Sequence, residues 1–376
     1  MNKIFEKGGK LYWLHSTIDA FETFLHVPGT VARKGAHIRD AVDIKRIMII
    51  AVIAAAPAAL FGMWNVGYQH ALATGISWNV FQAFWFGFLK VLPLFVVSYL
   101  VGLAIEFASA QIRGEEVNEG YLVSGFFIPL IVPVDTPLWM LAIAVVFAVI
   151  FGKEVFGGTG MNIINPAILT RAFLFFSYPN NMSGSQCWIE AGEKVVDGFS
   201  GATPLALAAD GFDALANAGV QYSTSFWTMF WGGIPGSVGE TSVIAILLGA
   251  IILLWTKVAS WKVMLSSVLG AVFVGGIANL SGASDIPFWY HLVMGGFAFG
   301  TVFMATDPVT SAQTETGKWI YGFLIGAICV IIRIFNPGYA EGMMLAIFLG
   351  NIFAPLIDHC VVNAHIKAKN RKQYEY

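Results

Sequence analysis

The sequence predicts an all-α polytopic membrane protein of about ten transmembrane helices in two inverted five-span repeats. Composition is the first ground for this reading. The chain is 57% hydrophobic and 12% charged, about half the charged fraction of an average soluble domain, and its mean hydropathy is +0.71. Uncharged runs long enough to cross a bilayer are the second. A transmembrane barrel would show alternation over strands of about 10 residues instead. The third is a pair of internal stretches that repeat one another.

The first 43 residues are polar and mixed in charge, with no apolar core of a cleavable signal. Leu11, Leu14, Ile18, Phe21 and Leu25 share one helical face. That pattern suits a helix lying in the membrane interface, or one docking a partner. Ten apolar segments follow, at 44–65, 84–108, 121–134, 138–152, 163–177, 242–256, 262–280, 288–304, 319–335 and 341–357. The third is short and interrupted by Pro129 and Pro133, and the eighth opens on Gly295–Gly296. The domains expected are a cytoplasmic segment 1–43, a first repeat 44–177, an external loop 178–241, a second repeat 242–357 and a basic tail 358–376.

Charge sets the orientation. Arg33, Lys34, Arg39, Lys45 and Arg46 flank the first span, and Lys367, Lys369, Arg371 and Lys372 lie in the tail. An even span count puts both ends on one side, and basic flanks make that side cytoplasmic. Lys194 is the basic residue of the 178–241 loop, which then lies outside.

LVSGFFIPLIVPVDTP at 122–137 resembles LVMGGFAFGTVFMATDP at 292–308. Leu122 and Leu292 are 170 apart, Asp135 and Asp307 are 172 apart, and Asn165 and Asn336 are 171 apart. An odd number of spans per half inverts the repeat, and such halves place an ion or substrate path between broken helices at their interface.

Arg171, Arg333, Glu106, Glu154, Asp135, Asp307, Glu341 and Asp358 fall in or at the ends of spans. A charge at the bilayer centre costs about 2.5–3.5 kcal/mol even on a mild scale. Structural Arg–acid pairs or interfacial snorkelling would explain them; a cation path is the alternative. Na⁺ favours carboxylates and carbonyls freed at helix breaks. Asp307 in ATDPVTSAQTETG is the first candidate, with Asp358 and Glu106 beside it.

Several motifs exclude chemistry. Ile163 stands where a dinucleotide fingerprint starting at Gly158 needs glycine, and no βαβ unit surrounds it. There is no Walker A sequence. Cys187, Cys329 and Cys360 are scattered, which argues against an iron–sulfur or zinc site. Nothing points to nucleic acid. Asn162 and Asn165 are read as two amides on one face of a helix at its cytoplasmic mouth. There they could bond a polar heterocycle such as a flavin or quinone, or serve as a cap and an Asn-Pro turn. In DGFSGATPLALAADG, 197–211, Gly198 and Gly201 favour tight turns and Pro204 suits the first turn of a helix, which makes Thr203 its N-cap.

The segments FEKGGK, PGTV, HIRDAVDIKRIMI, EVNEG, KEVFGGTGMNIINPA, DGFSGAT, GSVGE, HLVMGGFAFGTVFMATDPV and NPGYAEGMMLAIFLGNIFAPLIDH resemble the B subunits of the sodium-translocating NADH:quinone oxidoreductases. The resemblance runs from residue 5 to about 365. The D subunits of Rnf-type ferredoxin:NAD oxidoreductases are the sister family. The resemblance implies FMN bound covalently to Thr203 of Ser200-Gly201-Ala202-Thr203 by a separate flavin transferase. It also implies a non-covalent riboflavin near Asn162 and Asn165, and a quinone region around Arg113, Gly114 and Glu119. Electrons would pass from a neighbouring subunit through FMN and riboflavin to quinone as Na⁺ moves outward, with NADH oxidised on another subunit. The implied setting is a multi-subunit complex in the bacterial cytoplasmic membrane, and the implied fold is like that of ammonium and urea transporters. The 66–83 connection is short for the family. The competing class is a cofactor-free transporter or channel for a small solute on the same fold.

Overall fold

The computed structural model describes residues 35, 44–113, 120–182, 187–190, 196, 199–217, 220, 222–336 and 341–374. The expected N-terminal amphipathic helix lies outside them, as do Gly114, Glu119, Asp197 and Gly198. Helices dominate the described residues: α1 (Ile44–Thr74), α2 (Val80–Arg113), α3 (Tyr121–Ile131), α4 (Leu138–Gly152), α5 (Pro166–Ser177), α6 (Pro204–Ala209), α7 (Val243–Trp255), α8 (Trp261–Ser281), α9 (Tyr290–Val293), α10 (Glu315–Phe335) and α11 (Met343–Tyr374). After α9 the chain breaks, then resumes as a turn at Phe297–Phe299 and a π-helical turn at Gly300–Met304.

Among the described residues, six helices are long and apolar enough to cross a membrane, and α3, α5 and α7 are shorter apolar helices. The chain is a multi-pass membrane protein. Each sequence-predicted segment falls on helix, but several bounds move. The first span runs to Thr74, nine residues past the apolar run, because Asn65, Gln69 and Thr74 bond inside the fold: Asn65 donates to the Ile234 carbonyl at 2.8 Å. The short 66–83 connection is therefore mostly helix, with a link of residues 75–79. Pro129 does not interrupt α3. The helix passes through it and ends at Val132, which is extended (ψ 154°) ahead of Pro133. A residue before proline avoids the helical region, so Pro133 is the terminator. Proline inside α1, α2 and α11 (Pro57, Pro93, Pro355) is tolerated because packed neighbours satisfy the freed backbone groups.

Packing follows the small residues. α8 and α10 cross so closely that a Cβ on Gly326 would collide with the Ser267 carbonyl, the close approach that small residues permit between membrane helices. α2 packs on α1, α3 and α4; α4 on α5; α1 and α5 both touch α3. α8 packs on α9, on the π turn and on α10; α10 packs on α11; α7 and α11 both touch the π turn. α1 meets α7 and α5 meets α11, so these pairs join the two parts of the chain. One apolar core runs through the spans, and a second gathers Leu205, Ala208, Tyr222, Met229, Val293 and Met294.

Candidate functional site

The loop ahead of α6 is built from its cap outward. Thr203 has extended backbone (φ −78°, ψ 155°) and its Oγ accepts from the Ala206 N–H at 3.2 Å, with Pro204 in the first turn. The sequence-predicted N-cap is thus present. α6 is only six residues long, so its dipole is slight, and the local donors matter more than the helix axis. The Ser200 hydroxyl accepts from Ala202 N–H at 3.4 Å. Gly201 and Ala202 are buried, while Ser200 and Thr203 are partly exposed. Tyr222, which the sequence did not flag, donates its hydroxyl proton to the Ala202 carbonyl. Burial pushes that phenol's pKa up, which keeps the proton on the donor. Leu205 and Ala208 turn inward against Val293 and Met294, which seats the loop on the broken helix.

A second site is a recess of about 730 Å³, counted with its open mouth. Asn162, Asn165, Lys153, Thr159, Ser124 and Asp307 supply its polar lining. Its backbone turn is made by Gly157, Gly158 and Gly160, at φ 117°, 92° and 90°, values that side chains rarely adopt. Turn geometry, and not a phosphate cradle, therefore explains the glycine pattern. Contrary to the reading of the sequence, Asn162 and Asn165 are not on a helical face. Both precede α5, because Pro166 occupies its first turn and Asn165 becomes the N-cap. Asn165 Oδ1 accepts from Ala167 N–H at 2.9 Å and its amide nitrogen donates to Asp307 Oδ2 at 2.9 Å. Its amide is thus committed on both sides. Asn162 makes one long bond, to the Ile164 carbonyl at 3.3 Å, and is the more available of the two.

Asp307 also accepts from Val309 N–H at 3.1 Å and from the Thr310 hydroxyl at 3.0 Å. Glu106 lies behind the recess wall, paired with Lys153, and its Oε2 is buried without a partner. Thr159 reaches Glu106 at 3.4 Å. Arg113 binds the Glu154 carbonyl and, at 3.2 Å, its carboxylate, so it stands at the edge of the same glycine turn. Asp358 is elsewhere: it accepts from Gln313 N–H at 2.7 Å and Thr314 N–H at 2.9 Å and binds the Thr314 hydroxyl. The structure therefore gathers Asp307, Asn165, Asn162 and, one layer back, Glu106, and leaves Asp358 apart.

The donor set of the recess suits a flavin ring. Asn162 offers an available amide and Thr159 a hydroxyl beside the Lys153–Glu106 pair, and the recess is open to its surroundings, so a ring could enter from the mouth. Thr203 suits a phosphoester, since the residue is partly exposed on an anchored loop.

A third cluster sits at the break itself. Gly295 takes φ 57°. Arg333 donates to the carbonyls of His291 at 2.6 Å, Met294 at 2.9 Å and Glu341 at 3.1 Å. Arg171 pairs with Glu240 at 2.6 Å and with Glu341. Glu240 was missed in the sequence because it stands in a turn before α7, where no periodicity marks it.

Known proteins resemble the chain along nearly its whole length. A family model described as NQR2, RnfD, RnfE family matches residues 31–367. The B subunit of the Na(+)-translocating NADH-quinone reductase of Ectopseudomonas mendocina is 44% identical over 97% of this chain and 96% of its own length. Its counterpart in Azotobacter vinelandii is 43% identical over the same shares. That of Chromohalobacter salexigens is 42% identical over 99% and 95%. A match across nearly all of both chains leaves one conclusion: this protein belongs to the NQR2, RnfD, RnfE family.

Proposed function

We propose that the chain is the B subunit of a sodium-pumping NADH:quinone reductase, working with the other subunits in a bacterial cytoplasmic membrane. The observation that carries this is near full-length similarity to proteins of that name. The family also takes in Rnf subunits, so a D-type Rnf role is the second reading. The names of the relatives favour the first.

Thr203 is the proposed FMN attachment point, modified by a separate transferase, and Asn162 with Lys153 and Thr159 the proposed seat of riboflavin. Flavins would supply one- and two-electron transfer; the residues supply placement. Tyr222 fixes the carbonyl before Thr203, and Ser200 holds the turn. Arg113 at the glycine turn marks the proposed quinone side. Asp307 is the proposed cytoplasmic station for Na⁺, with Glu106 behind it; Asp358 has less support because its oxygens hold the start of α10. The inverted repeat is supported by packing: α2–α4 corresponds to α8–α10, α4–α5 to α10–α11, and α1–α3 to α7 with the π turn. Both termini are placed in the cytoplasm by their basic flanks.

Peptide mass spectrometry tests the core of this reading. The complex, co-expressed with its transferase, should carry an FMN-sized addition on Thr203 that Thr203→Ala abolishes. An unmodified Thr203 in that preparation would sink the flavin assignment. Ultraviolet fluorescence of the chain in a denaturing gel separates this reading from a cofactor-free transporter.

A further inference from the structure

We propose that Arg171 is the barrier to cations between the two halves of the chain: a tethered cation standing where a free one would have to pass. The proposal deepens the sodium-export reading and rests on it. Arg171 comes from α5, in the first half. The two carboxylates that hold it, Glu240 and Glu341, immediately precede α7 and α11, the first and last helices of the second. They meet at Gly296, where an added Cβ would lie 2.5 Å from Glu240 Oε1 and 3.2 Å from Glu341 Oε1. A helix break and a missing side chain therefore let both acids press against the backbone.

Arg171, Glu240, Gly296 and Glu341 line a small cavity of about 20 Å³ together with Phe299. Phe299 contacts Phe127 and Phe303, and those two rings line the recess that holds Asp307. One layer of phenyl rings thus stands between the recess and the cavity. On the other flank Trp188 covers the guanidinium at 5.6 Å. The neighbouring backbone carbonyls of His291 and Met294 are occupied by Arg333. The strongest ligands for a cation beside this cavity are hence the two carboxylates, and Arg171 holds both. A guanidinium does not lose its proton in a protein, so the positive charge is permanent. The triad as a whole carries one net negative charge, so the barrier is occupancy: a passing cation would have to displace Arg171 from Glu240 and Glu341. A purely structural ion triad predicts loss of stability on mutation and no change in permeability.

The assembled complex is reconstituted in liposomes loaded with radioactive sodium, without NADH, and passive efflux is followed. Arg171→Gln should raise efflux by roughly ten-fold or more, since it frees both carboxylates to accept the passing ion. Arg171→Lys should leave efflux near the parental level. Should Arg171→Gln fail to assemble, Arg171→Gln with Glu240→Gln removes one charge of each sign, and the same increase is expected. Efflux at the parental level from either neutral variant, in complexes with full flavin content, overturns the proposal. NADH-driven sodium uptake by the parental complex is measured in the same liposomes. If that uptake is absent, the sodium-export reading fails instead, so the two failures are distinct.

Discussion

Asn165 offers the sharpest test of how the recess is held. Its side chain makes two bonds at once, capping α5 through Ala167 and donating to Asp307. Loss of an N-cap costs about 0.5–2 kcal/mol, and loss of a hydrogen bond to a charged group about 1.5–3 kcal/mol. Asn165→Ala should therefore destabilise the protein by about 2–5 kcal/mol. A double-mutant cycle with Asp307→Ala isolates the second term, and the coupling expected is about 1.5–3 kcal/mol. Chemical denaturation in detergent micelles, read by tryptophan emission of the purified complex, supplies the four stabilities. Asn165→Asp adds a control. It keeps the capping oxygen but sets a carboxylate against Asp307, so it should lose the coupling while retaining the cap. Additivity of Asn165→Ala and Asp307→Ala within about 0.5 kcal/mol would falsify the bridge between helix cap and carboxylate.

Asp307→Ala should raise the Na⁺ concentration for half-maximal quinone reduction; an unchanged Na⁺ dependence removes Asp307 from the path. Tyr222→Phe leaves the buried Ala202 carbonyl without its donor, at about 1–3 kcal/mol. Flavin occupancy of the Thr203 peptide should fall, as read by mass spectrometry, whereas full occupancy would show that the loop holds itself. Lys153→Met strands the buried Glu106 carboxylate and should cost about 3–5 kcal/mol. Adding Glu106→Leu should recover most of the loss in the same denaturation assay, and no recovery would mean the pair is not the cause.

Much of the architecture was legible because apolar length is read directly from sequence. The cap at Thr203 was legible too, since Thr-Pro before an apolar run has few other local solutions. The spacing of Asn162 and Asn165 fits one helical face, yet Pro166 decides otherwise. It lacks the N–H that a continuing helix would require and starts a new one instead. Glu240 and Tyr222 were not legible. Their partners are Arg171, 69 residues away, and Ala202, 20 residues away across an irregular loop. Contacts of that kind are set by tertiary packing and leave no periodic trace. The amphipathic face at Leu11–Leu25 and the quinone-region residues Gly114 and Glu119 lie outside the described residues and rest on sequence alone.

Arg333 changes what the helix break offers. Broken helices in transporters commonly lend their bare carbonyls to an ion, and the sequence suggested the same here. In this fold the His291 and Met294 carbonyls each already accept a bond from an arginine that belongs to the chain. Discrimination between sodium and potassium at that level would then reside in acidic side chains, whose identity a single codon change can alter. Ion preference in this protein would be adjustable by point substitution, with no need to rebuild a loop.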